Sequence, residues 1–280
     1  MSQVTDHLFA ALQHALPQRT LTQLVNRVAR AKTPWVKNLL IRAFAESFNI
    51  NLDEARSRRP EDYNSFNEFF TRELKDGSRQ FPGDAHALAA PSDGTISQMG
   101  DIHEDRIFQA KGIDYTLPAL LGADDAWSDH YLNGAFSTIY LSPRDYHRVH
   151  MPLNGRLLTT RHVPGKLFSV NDASARTIPG LFARNERLVC RFEGEIGEFT
   201  LIMVGAMMVA SIDTVWSGPV EWRRDGQMEE IDHRQADIRL QRGEEMGRFN
   251  YGSTVILLFP TRPFQQALDN GTKVRMGMPL

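Results

Sequence analysis

The sequence predicts an α+β protein that is mainly β, with a β-sandwich or barrel-like core behind a helical N-terminal segment. Two observations lead to this prediction. Residues 1–50 place apolar side chains at helical spacing, whereas from about residue 83 short apolar runs alternate with Gly, Pro, Asn and Asp. We therefore expect two parts: a head over residues 1–82, and a β-rich domain, the body, over residues 83–280.

The composition is that of an ordinary globular chain of 280 residues, with 41% hydrophobic and 24% charged residues. The single cysteine, Cys190, excludes an internal disulfide and argues against a thiolate-rich metal site. Its apolar neighbours favour a place in the core over a nucleophilic role. The longest apolar run, residues 201–212, is too short to span a bilayer, and no secretory signal is evident. A cytoplasmic protein is therefore expected.

The charge is unevenly distributed along the chain. Residues 1–59 contain nine Lys and Arg against four Asp and Glu, a balance of +5. The remaining residues contain 23 against 30, a balance of −7. A basic head on an acidic body indicates an anionic partner, such as lipid headgroups or nucleic acid.

The head is predicted to consist of amphipathic helices. Thr33 and Pro34 supply an N-cap and a proline at the first helical position of one of them. There Lys37 and Arg42 flank an apolar face, which is typical of an interfacial membrane helix, although such a face can equally pack on the protein's own core. Nucleic acid is disfavoured because the cations are spread along the chain. The apolar positions are Leu8, Phe9, Leu12, Leu16; Leu21, Leu24, Val25, Val28; and Trp35, Val36, Leu39, Leu40, Ala43, Phe44.

A further short helix is expected over residues 65–74, between the N-terminal helices of the head and the body. Ser65 followed three residues later by Glu68 is a capping box, and Asp76-Gly77 provides an end signal. We interpret this segment as a linker helix that docks the head onto the body.

The body is predicted to consist of many short strands joined by polar turns. Turn sequences such as Leu153-Asn154-Gly155 and Glu193-Gly194 separate the apolar runs. The clearest runs are residues 136–141, 188–192, 199–204, 207–212 and 255–259.

Gly252-Ser253-Thr254 places a hydroxyl at the entry of the last apolar run. Gly252 leaves its carbonyl uncrowded and permits backbone angles that a Cβ would forbid. This suits attack by the Ser253 hydroxyl on that carbonyl, which replaces the peptide bond with an ester. Elimination and hydrolysis would then release ammonia and leave a pyruvoyl group. The alternative is an inert strand-entry turn.

Two other segments carry groups that can move protons. Pro91-Ser92-Asp93-Gly94 is a turn with a carboxylate beside a glycine. His147 and His150 are three residues apart, so they point to opposite sides of a strand or to one side of a helical turn. With Ser253 these are the residue types of a base-activated nucleophile. The Gly-x-Ser-x-Gly elbow of serine hydrolases is absent from the sequence, and the histidines lack a third metal ligand at usual spacing.

These segments resemble the three signatures of the phosphatidylserine decarboxylase family. The resemblance extends to the basic helical head and covers nearly the whole chain. One departure is Tyr251, where many members have leucine in an LGST motif; it precedes the bond that would break, so we expect it to tune the fit only. The matching segments are Tyr251-Gly252-Ser253-Thr254, Asp145-Tyr146-His147-Arg148-Val149-His150-Met151-Pro152, Pro91-Ser92-Asp93-Gly94, and residues 164–171, 204–206 and 245–247.

The resemblance implies a proenzyme that cuts itself between Gly252 and Ser253. A large chain, residues 1–252, and a small chain, residues 253–280, would remain associated through the strand that begins at the cut. Ser253 would become a covalent pyruvoyl group, the only cofactor expected, with neither pyridoxal phosphate nor a metal.

The resemblance also implies a role for each candidate residue. Asp93, His150 and Ser253 would form the charge-relay set for self-cleavage, and His147 would donate and accept protons during decarboxylation. Phosphatidylserine would bind the pyruvoyl group as a Schiff base, lose carbon dioxide and leave as phosphatidylethanolamine.

The expected partners are phosphatidylserine and an anionic phospholipid membrane, with no nucleic acid. The protein would lie peripherally on the cytoplasmic face of the cell membrane, and the cleaved heterodimer could form a homodimer. Two alternatives remain at this point: a pyruvoyl decarboxylase of a soluble amino acid, and a non-enzymatic membrane-docking β-module.

Overall fold

The computed structural model of the chain describes residues 3–84, 86–206, 211–220, 226–250 and 253–280, without the side chains at 3, 4, 8, 15 and 19. The predicted cleavage residue Gly252, its neighbour Tyr251 and most of the predicted strand 207–212 lie outside the described residues. No helix in the described ranges has the length and apolar character needed to cross a membrane.

Helices are concentrated near the N-terminus and strands fill the rest. The helices are α1 (Gln3–Ala15), α2 (Gln18–Ala29), α3 (Pro34–Ser47), α4 (Phe66–Phe70), α5 (Leu117–Leu121), α6 (Ala126–Asp129), α7 (Asp172–Thr177) and α8 (Leu181–Arg184), with a 3-10 turn at Pro60–Asp62. The strands are β1 (Gly94–Asp101), β2 (Arg106–Ala110), β3 (Ile113–Thr116), β4 (Ala135–Leu141), β5 (Arg148–His150), β6 (Gly155–Val163), β7 (Arg187–Gly194), β8 (Gly197–Val204), β9 (Ile212–Thr214), β10 (Gly218–Pro219), β11 (Glu229–Asp232), β12 (Arg239–Leu240), β13 (Glu245–Phe249), β14 (Ser253–Phe259) and β15 (Lys273–Val274).

The head divides its contacts between the body and a small core of its own. Helix α1 docks on the body, where the Gln13 side chain donates to Ser174 Oγ over 3.1 Å and Arg176 pairs with Asp6 at 2.9 Å. Helices α3 and α4 instead close a separate cluster of buried side chains: Ala29, Ile41, Phe44, Tyr63, Phe66, Phe69 and Phe70. The division at residue 82 stays a prediction.

The predicted helix boundaries agree only in part with the structure. Helix α3 begins at Pro34 as predicted, although the Thr33 side chain makes no capping hydrogen bond. Ser65 does cap α4 by accepting from the Glu68 amide at 3.2 Å, but the Glu68 carboxylate accepts from the Asn64 amide instead of returning to Ser65. The predicted helix over 65–74 was too long, because α4 ends at Phe70 and the chain then extends to pair with the segment at Ala55.

The body is mainly β and antiparallel, so the α+β class is confirmed. Nine strands form one sheet in the order β11-β6-β7-β8-β14-β4-β1-β15, with β12 beside β6, and a second sheet has the order β10-β9-β13-β5. Both sheets contribute side chains to the same core cluster, for example Leu257 from β14 and Phe249 from β13. In the described residues the large sheet is an open path, so the architecture is sandwich-like and is not a closed barrel.

Four predicted apolar runs coincide with strands β4, β7, β8 and β14. Strand β14 pairs with β4 on one side and β8 on the other, and every residue in it is buried. Burial on both faces explains why its sequence is continuously apolar beyond the first two residues.

Three chain segments meet at one end of the large sheet. Ser253, the first residue of β14, pairs with Leu141, the last residue of β4, and Tyr140 pairs with Thr95 near the start of β1. A Cβ added at Gly94 would lie 2.5 Å from the Tyr140 carbonyl oxygen, so only glycine permits this approach of β1 to β4. We call this region, defined by Gly94, Leu141 and Ser253, the site end of the sheet.

Candidate active site

Ser253 lies fully buried at the site end. Its side chain is 0% exposed, and its Oγ has no hydrogen-bond partner among the described residues. Buried hydroxyl groups are usually hydrogen-bonded, and an exception asks for an explanation such as a chemical role. The next hydroxyl, that of Thr254, is equally buried and also lacks a described partner, but successive side chains of a strand point to opposite faces.

The register of the sheet brings the other candidate segments to the same place. Asp93 directly precedes β1, and the segment from Ser142 to His147 directly follows β4. His150 is tied in by its backbone, because its amide donates to the Pro91 carbonyl over 2.7 Å. Asp93, His147, His150 and Ser253 are therefore all carried by segments that converge at the site end, as the sequence analysis required.

Asp93 is held by an arginine. Its two carboxylate oxygens accept from Arg79, from Nη2 at 2.6 Å and from Nε at 3.3 Å, and Oδ1 also accepts from the Met276 amide at 2.8 Å. A two-point arginine contact of this kind fixes both the position and the plane of a carboxylate. The Asp93 carboxylate therefore reaches His150 through its field, with no direct hydrogen bond between them.

Both ring nitrogens of His150 are engaged. Nδ1 lies 2.8 Å from the Gly243 carbonyl oxygen, which can only accept, so Nδ1 carries the proton. Nε2 then has a free lone pair, and it accepts from the Tyr146 hydroxyl over 2.9 Å. Burial lowers the pKa of His150, whereas the Gly243 contact and the charges of Glu245 and Asp93 raise it.

His147 is more deeply buried than His150 and has fewer hydrogen-bond partners. It is fully buried, its Nδ1 donates to the Asp145 carbonyl at 2.8 Å, and its Nε2 has no partner among the described residues. Burial lowers the pKa of His147 to about 3, with a smaller contribution from the charge of Arg72. The ring of Phe70 lies 4.1 Å from the imidazole, centroid to centroid. A neutral imidazole with a bare Nε2 can accept a proton from a reacting group and return it.

Three residues of the site were missed in the sequence. Tyr146 lies inside the histidine segment, and its contact with His150 depends on a loop conformation that spacing alone does not give. Arg79 and Arg72 belong to the predicted head, and they reach the site through contacts with residues distant in sequence, Arg79 with Asp93 and Arg72 with the Arg144 carbonyl. No local pattern in the sequence distinguishes these two arginines from the other basic residues of the head.

Cys190 lies in the core, as predicted. It is buried in β7, and burial raises the pKa of its thiol. Among the residues that the structure describes, no group of three or more His, Cys, Asp or Glu side chains could hold a metal ion.

Comparison with known proteins gives two family matches. The family model described as phosphatidylserine decarboxylase matches residues 66–280, and one described as PSD matches residues 8–49. The first match covers most of the chain and includes Asp93, His147, His150 and Ser253.

Individual relatives match over almost their whole length. A phosphatidylserine decarboxylase proenzyme of Alcanivorax borkumensis is 48% identical over 275 residues, 97% of this chain and 94% of the relative. Proenzymes of the same name from Methylococcus capsulatus and Azotobacter vinelandii are 46% and 49% identical, covering 100% and 91% of this chain and 98% and 90% of their own lengths.

Proposed function

The chain belongs to the phosphatidylserine decarboxylase family, and we propose that it is a self-processing enzyme that converts phosphatidylserine to phosphatidylethanolamine and carbon dioxide. The observation that supports this most strongly is the Ser253 hydroxyl, buried without a described partner at the first residue of a core strand. Relatives that are nearly half identical are named proenzymes of this activity, so neither alternative from the sequence is favoured.

Self-cleavage is proposed to begin with the Ser253 hydroxyl. Its oxygen attacks the carbonyl carbon of residue 252, the proton of the hydroxyl passes to a base, and the peptide bond is exchanged for an ester. A base then removes the Cα proton of residue 253, and elimination breaks the bond between Cβ and Oγ, so that the oxygen leaves as part of a carboxylate on Gly252. The dehydrated residue at 253 takes up water and releases ammonia.

His150 is the proposed base, with Asp93 and Tyr146 in supporting roles. The Nε2 lone pair of neutral His150 accepts from the Tyr146 hydroxyl, and it can receive a proton through that hydroxyl or directly if the hydroxyl turns away. The Asp93 carboxylate, held in place by Arg79, stabilises the positive charge that His150 would acquire.

The two chains are proposed to stay together after the cut. Strand β14 is paired on both sides, with seven register pairs to β4 and five to β8. All its residues are buried, so separation of the small chain would expose an entire core strand to water.

The residues around position 253 fit a pyruvoyl group. Ser253 is fully buried and its Oγ has no described partner, so the conversion, which removes Oγ, leaves a methyl at Cβ and places the ketone on Cα, would break no described hydrogen bond of that hydroxyl. When present, the group supplies a ketone that accepts the substrate amine and the electrons released with carbon dioxide. Neutral His147 is proposed to hold and return a proton at Nε2, and the apolar contact with Phe70 keeps water away from it.

The head is proposed to hold the enzyme peripherally against an anionic membrane at its cytoplasmic face. Large apolar side chains of α1, α2 and α3 are exposed, among them Trp35 at 73% and Leu39 at 62%. Helices α2 and α3 also border an open apolar groove of about 440 Å³ that contains Leu24, Val28 and Phe48. Exposed apolar groups beside a positive excess are what binding to anionic lipid requires. A homodimer of the cleaved protein stays a prediction. Analytical ultracentrifugation tests it by measuring the mass of the cleaved protein in solution.

The activity is tested by incubating purified protein with vesicles that contain carboxyl-labelled phosphatidylserine. Release of labelled carbon dioxide with formation of phosphatidylethanolamine is the expected result. Release from free serine, with none from the lipid, would favour the soluble-substrate enzyme. An inert full-length chain would favour the docking module.

A further inference from the structure

A small charged cavity lies beside the site end, on the side of Asp93. Its volume is about 220 Å³, and five basic side chains line it together with Glu54, Asp93 and Asp145. The three acidic side chains are outnumbered, so the lining carries a positive excess. The basic side chains are Arg72, Arg79, Arg144, Lys273 and Arg275.

The acidic residues are already committed to other groups. Glu54 pairs with Arg79 at 2.9 Å and with Arg275 at 2.7 Å, and Asp93 pairs with Arg79. Asp145 accepts from the amide and the hydroxyl of Ser142, at 2.7 and 2.6 Å. No described carboxylate in this cavity forms an ion pair with Arg72, although the charges of Asp93 and Asp145 act on it from a distance.

Arg72 is the unusual member of this set. It is only 5% exposed, yet Nε and Nη1 have no hydrogen-bond partner among the described residues. Its one described hydrogen bond is from Nη2 to the Arg144 carbonyl at 3.2 Å. A buried guanidinium normally has a carboxylate or several carbonyl oxygens around it, as Arg187 of this chain has with four carbonyls. The free donors of Arg72 thus fit an anion that binds in the cavity.

The cavity is close to the reacting position. The loop that accepts from Arg72 also carries His147, and it begins next to Leu141, the pairing partner of Ser253. Asp145 and Tyr146, the two residues that precede His147, both line the cavity.

We propose that Arg72 and this cavity bind the phosphodiester group of the phospholipid substrate. The proposal rests on the proposed function and names the part of the substrate that Arg72 contacts. The substrate carries two anionic groups, and decarboxylation requires the carboxylate to lose its charge. A cation fixed on that carboxylate would stabilise the ground state and slow the reaction, whereas the phosphodiester keeps its charge throughout. Arginine suits a phosphate because its planar fork donates two parallel hydrogen bonds.

The test compares wild type with Arg72→Gln and Arg72→Lys on water-soluble dihexanoyl phosphatidylserine. The self-cleavage of each variant is first checked by denaturing electrophoresis. We expect Arg72→Gln to process normally, to raise KM about 10- to 100-fold and to change kcat much less, with partial recovery in Arg72→Lys. Arg106→Gln removes an equally long but exposed cation on β2, far along the chain from the cavity, and it should leave KM unchanged. An unchanged KM in Arg72→Gln would overturn the proposal.

A binding measurement separates this proposal from the proposed function. Isothermal titration of wild type with inorganic phosphate, against chloride at equal ionic strength, should show binding that competes with dihexanoyl phosphatidylserine. Arg72→Lys should bind phosphate more weakly, which keeps the test available if Arg72→Gln fails to fold or process. Absence of phosphate binding to wild type would overturn the proposal. Binding that leaves the KM of the lipid unaffected would assign the cavity to free phosphate and would also overturn it. Wild type that binds phosphate yet never releases carbon dioxide would instead count against the proposed function.

Discussion

The head and the site end of the sheet depart from ordinary protein structure in opposite directions. The head leaves apolar side chains such as Trp35 and Leu39 exposed, whereas the site end buries the polar atoms of Ser253 and His147 without described partners. Each arrangement is unfavourable for a protein alone in water. Neither region is therefore arranged for stability alone, which agrees with the proposed lipid contact of the head and the proposed chemistry at the site end.

The largest effect is expected from removing the hydroxyl at the site end. Ser253→Ala should remain a single uncut chain with no decarboxylase activity, because no nucleophile is left to attack residue 252. Denaturing electrophoresis and the carbon dioxide assay measure both results. Thr254→Val is the matched control, since it removes an equally buried, unpartnered hydroxyl from the opposite face of β14. If the control also stayed uncut, the loss could not be assigned to the Ser253 hydroxyl.

The second test removes the proposed base. His150→Ala should also stay uncut, because the proton of the Ser253 hydroxyl would lack an acceptor. Tyr146→Phe, which deletes only the hydroxyl that donates to His150, should slow processing to a smaller extent. The measurement is the time course of fragment formation after synthesis. Efficient cutting of His150→Ala would remove this histidine from the cleavage step.

His147 should separate the two reactions of the site end. We expect His147→Ala to cut itself but to decarboxylate about 10²- to 10⁴-fold more slowly, since general acid–base catalysis contributes effects of that size. The assay is kcat on phosphatidylserine vesicles for protein whose cleavage has been verified. Undiminished turnover would show that the assignment of the two histidines is wrong.

A buried neutral histidine should also make stability depend on pH. The pKa of His147 is lowered to about 3, and an unfolded histidine titrates near 6.5. Between these values the unfolded chain binds a proton that the folded chain does not. The contribution of His147 to the free energy of unfolding therefore keeps its full value above pH 6.5 and decreases as the pH falls towards 3. His150 shifts in the same direction.

Urea unfolding of the uncut Ser253→Ala chain at pH 4.5 and 7.5 measures this effect. We expect a loss of about 3 kcal/mol from His147 at the lower pH. His147→Gln in the same background removes the titrating group, so its stability should change less between the two pH values. Equal changes in both chains would contradict a depressed pKa at this position.

The smallest expected effect is in the head. Trp35→Ser should weaken binding to anionic vesicles several-fold, because one apolar side chain contributes about 1.5–3 kcal/mol when fully buried. Ile231→Ser is the matched control, as Ile231 is 47% exposed on β11 of the body. Vesicle sedimentation measures both. An equal loss in the two variants would show that the head has no special affinity for lipid, and the contrast between the two regions would fail.

Local signals predicted the helices of the head and several core strands, whereas the roles of the site residues came from the family resemblance and stay predictions. Strand β14 could be predicted from the sequence because a strand that is buried on both faces has a continuously apolar sequence. The order of the strands in the sheet could not be predicted, because β14 lies between β4 and β8, which come from distant parts of the sequence. For the same reason the Arg79 contact with Asp93 and the Tyr146 contact with His150 could not be foreseen. Helix α4 was predicted too long because the strand-like pairing of Leu74 with Ala55 ends it.

Intact-mass spectrometry of freshly purified, active protein under denaturing conditions tests the central claim most directly. We expect two species, residues 1–252 and residues 253–280, with the smaller one lighter by one ammonia than the same peptide with a serine amino terminus. A single species of 31.8 kDa in a preparation that releases carbon dioxide from phosphatidylserine would contradict it.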